Sequence, residues 1–423
     1  MSSILVSFIG NQDPFSDKNH IRDTDREGSL VTLTRHLTHE FGQSIRRVIL
    51  LYTADNALRK NACCDWLSHE LKLPIDCVEA VEVSAELSED PIDSKLAINE
   101  ARRGIELANQ YRQQGDILEL NASSGTPAMK MAWSILHTVG FSPDSRVWQI
   151  RNPKESRPDQ YRVFQSDTSF LRTEIDSKIL EQQLQNFDYV GAQVVVEKSK
   201  LKQVGQLIPL LRYGHFRLSF DFDNAQKAIE ALSIDDRSPF DSQMKDLHEQ
   251  VWQRLLLELY FNAEIKLLTG QFADFLGRVF RFQEAVLKHR TKERLNLDQE
   301  VEDKCFWQEV RLRDQGQLKK HLGDQFRSGG SPNRYALAKI LEYCNSDQDL
   351  LKNNKVVNNH VDSRNSSIVA HGYTGVSQIE DSQELLETMR TMALLVGAPD
   401  QDNPFFELNR RLLKLLQNKR DEA

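Results

Sequence analysis

Five short, nearly all-apolar segments punctuate the first 150 residues, and stretches of helical periodicity separate them. The apolar segments are Ile4–Ile9, Arg47–Tyr52, Val78–Val83, Ile117–Leu120 and Arg146–Ile150. Between them, Leu30–Phe41, Leu58–Leu71, Ser94–Gln113 and Pro127–Val139 carry apolar residues at helical spacing. A strand that is apolar at every position must be buried on both faces. Such strands alternating with helices build a parallel sheet covered on both sides. The N-terminal part is therefore read as a doubly wound, Rossmann-like α/β domain.

After about Thr173 the strand signal fades. Ile175–Lys200, Asn224–Leu232, Gln243–Leu268, Gln271–His289, Tyr335–Cys344 and Ser382–Val396 all read as helices, with leucines at helical spacing. An α/β domain over 1–170 and an all-α region over 171–423 follow, with the boundary near 165–180. Phe187-Asp-Tyr and Phe220-Asp-Phe echo each other at helix starts and read as two hairpins that seat an aromatic alike.

Several classes fall away on composition. With 54 Lys+Arg against 62 Asp+Glu the chain carries a net charge of -8, which argues against a broad basic surface for duplex nucleic acid. The opening apolar run is too short for a signal-peptide core, and no stretch has the length of a membrane span, so a cytoplasmic protein is expected. Five cysteines without a C-x-x-C suggest neither a disulfide framework nor zinc; Cys63 and Cys64 read as buried free thiols. Nothing marks His36 and His39 as metal ligands, and no cofactor or metal is expected.

Two turns carry the chemistry. Asn121-Ala-Ser-Ser-Gly-Thr-Pro-Ala-Met-Lys130 follows a strand directly. Thr126 suits a helix N-cap and Pro127 the first helical position, while Gly125 permits a tight turn. The N–H groups of such a turn, with the hydroxyls of Ser123, Ser124 and Thr126, suit an anion. Gly10-Asn-Gln-Asp-Pro14, after the first strand, places Asn11, Gln12 and Asp13 at the same carboxyl edge, able to read base or ribose edges. Neither turn is a G-x-G-x-x-G or a P-loop. On these features alone the segment is either a phosphate-binding turn or a well-capped strand-to-helix turn.

Ile4–Pro14 together with Asn121–Met129 resembles the two ligand-binding signatures of the CARF domain, the CRISPR-associated Rossmann fold. The Ser-Ser-Gly-Thr-Pro-Ala-Met run is similar to one branch of that family, the ancillary ribonucleases of type III CRISPR systems. These bind cyclic oligoadenylate through CARF and cut RNA with a helical HEPN domain. The resemblance implies that Gly10, Asn11, Gln12, Asp13, Ser123, Ser124, Gly125, Thr126, Met129 and Lys130 line a pocket for a cyclic tetra- or hexa-adenylate activator. It also implies a homodimer in which one ring meets two copies of each turn.

That family carries Arg, then four to six residues, then His, in its helical half. Here Arg364-Asn365 is followed after six residues by His371, within an Asn-rich flank running from Asn353 to Ser367. The spacing alone carries little weight, since short motifs recur by chance. Given the resemblance, Arg364, Asn365 and His371 are the catalytic candidates for metal-independent cleavage of single-stranded RNA. Two turns of helix would put Arg364 and His371 on one face, and two such pairs would meet across a dimer. Arg311, Arg313, Lys319, Lys320, Arg327 and Arg334 could guide RNA or simply form a solvated face. Phe272, Phe275, Phe280 and Phe282 read as core. Two other functions stay open: a sensor without catalysis, and a CARF domain that degrades its own ligand through Ser124, Thr126 or Lys130.

Overall fold

The computed structural model describes residues 2–16, 26–152, 157, 159–199, 205–314, 316–326, 330–366 and 372–420. The chain divides into two compact units, Met1–Ile175 and Asp176–Ala423.

The first unit holds one six-stranded sheet. Its strands are β1 (Ser2–Phe8), β2 (Ser44–Tyr52), β3 (Val78–Glu82), β4 (Ile117–Asn121), β5 (Ser145–Ile150) and β6 (Val163–Gln165), in the spatial order β3-β2-β1-β4-β5-β6. All neighbours are parallel except β5 and β6. The antiparallel β6 has no counterpart in the sequence reading, because three residues are too few to show a period. Helices α1 (Ser29–Arg35), α2 (Ala57–Leu71), α3 (Ala85–Glu89), α4 (Ser94–Gln110) and α5 (Pro127–Thr138) form the connections. A turn of π-helix, His36–Glu40, extends α1.

Alternation along β1 sorts its side chains between two cores. Ile4, Val6 and Phe8 pack with Ala101 and Ile105 of α4 and with Ala132 and Trp133 of α5. Leu5 packs with Leu30 and Leu33 of α1 and with Cys63 and Leu67 of α2 on the other face. Both faces are covered, as all-apolar strands require. Both thiols are free, but only Cys63 is buried; Cys64, expected to be buried with it, sits at the edge of the core and is half-buried.

The second unit is helical. It takes in most of α6 (Ser169–Gln185), followed by α7 (Tyr189–Lys198), α8 (Leu207–Leu218), α9 (Phe222–Glu230), α10 (Ile234–His248), α11 (Trp252–Leu268) and α12 (Phe272–Arg294). Then come α13 (Phe306–Asp314), α14 (Gln317–Leu322), α15 (Arg334–Tyr343), α16 (Gln348–Asn358), α17 (Val361–Ser366), α18 (Ser382–Leu395) and α19 (Pro404–Arg420). Two stretches expected as single helices are broken. Phe187 (φ 55°) separates α6 from α7, and Gln250 (φ 54°) separates α10 from α11. The apolar period runs on through both breaks, so periodicity alone could not find them. Phe187 and Phe220 (φ 60°) share the left-handed conformation, each followed by an aspartate that caps the next helix: Asp188 accepts from Gly191 N–H and Asp221 from Asn224 N–H. The echo in the sequence is thus one turn used twice.

Two polar devices brace this core. Arg217 and Glu258, both 3 % exposed, form a buried ion pair, and Arg217 also donates to Gln243 Oε1 at 3.0 Å. Asp347 precedes α16 and joins it to α12. Arg290 Nε and Arg294 Nε each donate to its carboxylate at 2.7 Å. Burial would raise the Asp347 carboxyl, but the hydrogen bonds from Arg294 and Arg290 outweigh it and hold it well below the usual carboxylate range. Asp347→Asn is expected to lower stability by about 2 kcal/mol at neutral pH, read as an earlier urea midpoint. Because the folded-state pKa is depressed, this contribution is present above the unfolded value and disappears as pH falls. The gap between wild type and variant therefore closes below about pH 4.

Candidate functional site

In the order β3-β2-β1-β4-β5-β6 the winding reverses between β1 and β4, which pair in register from Ser3↔Ile117 to Ser7↔Asn121. The carboxyl edge at such a reversal is where open α/β sheets hold ligands. A cavity of about 380 Å³ lies there. Every residue nominated from the two turns lines it: Gly10, Asn11, Gln12 and Asp13 from the β1 crest, and Ser123, Ser124, Gly125, Thr126, Met129 and Lys130 from the β4–α5 connection.

The backbone explains the residue choices. Gly125 has φ +89°, and a Cβ there would stand 2.8 Å from the Met129 sulfur and 3.3 Å from Phe8 Cβ. At Gly10 a Cβ would stand 2.9 Å from the Gly125 nitrogen and 3.1 Å from Ser124 Oγ, so the two crests approach too closely for any side chain there. Asn121 shapes the turn, donating to Ser7 Oγ at 3.0 Å and accepting from Ser123 N–H at 3.0 Å. Thr126 is the N-cap and Pro127 the first residue of α5, as the sequence indicated.

The hydroxyls are more committed than the sequence suggested. Thr126 Oγ1 donates to the Pro91 carbonyl at 2.6 Å, and Ser124 Oγ donates to the Asp13 carboxylate. Ser123 Oγ accepts from Ile150 N–H at 2.7 Å and keeps its proton to give. Among the described residues no group accepts from the N–H groups of Ser124, Gly125 or Thr126. Those N–H groups, the dipole of α5 and the half-exposed Lys130 make this side of the cavity receptive to an anion.

The opposite wall was missed in the sequence. Thr53, Asp55 and Asn56 follow β2, while Ser88 and Pro91 follow β3; these residues and Ser29 also line the cavity. Asn56 Nδ2 bonds Thr53 Oγ1 at 3.2 Å, and Ser88 Oγ accepts from Ala54 N–H at 3.2 Å. The signal was available, because Thr53–Asn56 directly follows an all-apolar strand at the same carboxyl edge.

In the second unit, α17 carries Arg364 and Asn365. Asn365 is exposed; the Arg364 side chain and the whole of His371 lie outside the described residues. Part of the Asn-rich flank has a packing role. Fully buried Gln283 of α12 donates to Asn354 Oδ1 at 2.7 Å and to Asn358 Oδ1 at 2.9 Å, tying α12 to α16 just before α17. Half-buried Arg334 donates to Gln283 Oε1 at 2.6 Å, which ties it to this network. Lys319 and Lys320 are exposed, and the Arg313 side chain and Arg327 lie outside the described residues. Phe275, Phe280 and Phe282 are core residues, as read from their spacing.

Residues 246–412 match the family model described as the Cas_Csm6 HEPN domain. The match falls within the second unit. It contains α11 to α18 and the Arg364–His371 segment. A search of curated proteins finds no match. Among solved structures, the chain is similar to Enterococcus italicus Csm6 bound to cyclic hexa-2'-fluoro-hexa-dAMP, with a TM-score of 0.67 and 18% identity. The match covers 98% of this chain and 100% of that chain. At such identity the likeness is one of fold, and it extends past the HEPN domain into the α/β unit. Together these matches describe an α/β unit followed by an all-α unit in which residues 246–412 match the HEPN model.

Proposed function

We propose that the chain is a metal-independent endoribonuclease of type III CRISPR defence, switched on by cyclic oligoadenylate in the CARF cavity. The convergence of both sequence-nominated turns on one cavity, in a chain with a HEPN domain, carries this reading. The cavity presents free N–H groups, Lys130 and Ser123 to phosphates, and Asn11, Gln12 and Asp55 to base or ribose edges. At about 380 Å³ it lies near the lower end of the range for ligand cavities, about 300–1,000 Å³. A ring of four or six nucleotides exceeds a drug-sized ligand, so each ring spans the cavities of two protomers.

RNA brings its own nucleophile, the 2′-hydroxyl. His371 takes or gives a proton near neutral pH. Arg364 holds the phosphate oxygens and stabilises the charge that develops on them, and Asn365 orients the imidazole or the phosphate. In-line attack leaves a 2′,3′-cyclic phosphate and a 5′-hydroxyl. Each protomer supplies one Arg–His pair to a composite site in the homodimer. Ligand binding shifts the dimer toward the arrangement in which the two pairs act together.

End-group analysis of the cut RNA and ring stoichiometry test this scheme. The expected results are 2′,3′-cyclic phosphate ends and one ring bound per two chains. Products with free 3′-hydroxyl ends would overturn the chemistry, and one ring per chain would overturn the shared cavity.

A further inference from the structure

Asp13 reads in the sequence as a group facing the ligand, yet the structure spends its carboxylate inside the protein. It is 1 % exposed. Gly10 N–H donates to Oδ2 at 3.0 Å, Leu30 N–H donates to Oδ1 at 3.0 Å, and the Ser124 hydroxyl donates to Oδ2. Those donors belong to three chain segments: the β1 crest, the first turn of α1 and the β4–α5 turn. Two glycines make room for the arrangement. A Cβ on Gly28 would fall 2.4 Å from Asp13 Oδ1, and one on Gly10 would fall 3.1 Å from Ser124 Oγ. Both lining turns are therefore hung on one carboxylate.

We infer that Asp13 is a positioning residue, clasping the β1 crest to the β4–α5 turn so that the N–H groups of 124–126 and the side chains of Asn11 and Gln12 face one ligand. This rests on the reading of the cavity as the cyclic-oligoadenylate site. A carboxylate accepts from all three donors at once. A neutral amide of the same shape offers one acceptor oxygen and turns its NH2 toward either the Gly10 or the Leu30 N–H. Loss of one charge-assisted bond releases the geometry on which every ligand contact depends.

Asp13 is also a titration handle. Burial pushes its carboxyl up, and the Ser124, Leu30 and Gly10 donors with nearby Arg59 only partly offset this. Arg59 and Cys63 face it from α2, and burial holds the Cys63 thiol protonated. On the other sides it meets the uncharged Ser124, Leu30 and Gly10. Protonation of Asp13 removes an acceptor, so ligand affinity should fall as the solution is acidified toward its pKa.

The test measures binding of labelled cyclic hexa- and tetra-adenylate to the full chain and to Asp13→Asn, Ser124→Ala and the double variant, across pH. Circular dichroism confirms folding at the assay temperature. Asp13→Asn should weaken binding by about ten-fold or more, and its affinity should lose the acid-side fall seen in wild type. Ser124→Ala placed on Asp13→Asn should add less than it does on wild type, because both act through one contact. A variant that binds as wild type does, or effects that simply multiply, overturns the inference. If Asp13→Asn does not fold, the comparison rests on Ser124→Ala: a shallower acid-side fall than in wild type supports the clasp, and an identical profile overturns it. Wild-type protein that binds neither ring removes the reading of the cavity itself.

Discussion

His371→Ala is expected to lower RNA cleavage by a factor of about 10² to 10⁴ while leaving cyclic-oligoadenylate binding unchanged. The size follows from the usual contribution of a positioned proton-transfer group. Binding is spared because the proposed ligand residues line a cavity in the other unit of the chain, at the ends of β1 and β4. Arg364→Ala should cost about 10² to 10³, the usual loss when one group that stabilises developing charge is removed. Restoring charge with Arg364→Lys should recover only a part, since an ammonium cannot grip two phosphate oxygens as the planar guanidinium does. Single-turnover cleavage of a labelled RNA at saturating activator measures both. Undiminished cleavage by His371→Ala would show that the Arg–His segment is not the catalytic one.

Gly125→Ala should weaken cyclic-oligoadenylate binding by about 100-fold. Two costs coincide at this residue. A φ of +89° is a region that side chains with a Cβ rarely enter, at about 1–2 kcal/mol. The added methyl would also stand 2.8 Å from the Met129 sulfur and 3.1 Å from Met129 Cβ. The Met129 thioether can rotate away, but Met129 Cβ and Phe8 Cβ cannot, so the turn must shift, which tilts the N–H groups of 124–126 off the ligand. Isothermal titration with cyclic hexa- and tetra-adenylate reads the change. HEPN cleavage should then need correspondingly more activator, with its rate at saturation preserved. A lower saturated rate with unchanged affinity would contradict this division of labour.

Much of the α/β unit is legible in the sequence, because all-apolar strands and amphipathic helices differ sharply in period. The two cavity-lining turns are legible for a related reason. Gly10, Gly125, Thr126 and Pro127 are each demanded by backbone geometry, and they sit directly after strands. The role of Asp13 is not legible there. Whether a carboxylate faces solvent or is enclosed depends on Leu30 and Ser124, which only the fold brings to it. The wall formed by Thr53, Asp55 and Ser88 is half legible: Thr53–Asn56 directly follows an all-apolar strand, but only the sheet order brings Ser88 alongside it. In the helical unit the breaks at Phe187 and Gln250 escape because left-handed residues interrupt the backbone without interrupting the apolar period. The tie between Arg334 and this core escapes as well, since an arginine in a basic stretch looks solvated until Gln283 is found beside it.

The most direct test of the central claim is cleavage of a labelled single-stranded RNA by the purified chain in EDTA, with and without cyclic tetra- or hexa-adenylate. Cleavage that appears only with a cyclic ring, and persists in the chelator, is the expected result. RNA that stays intact with every ring, or is cut equally well without one, would contradict a HEPN ribonuclease governed by its CARF cavity.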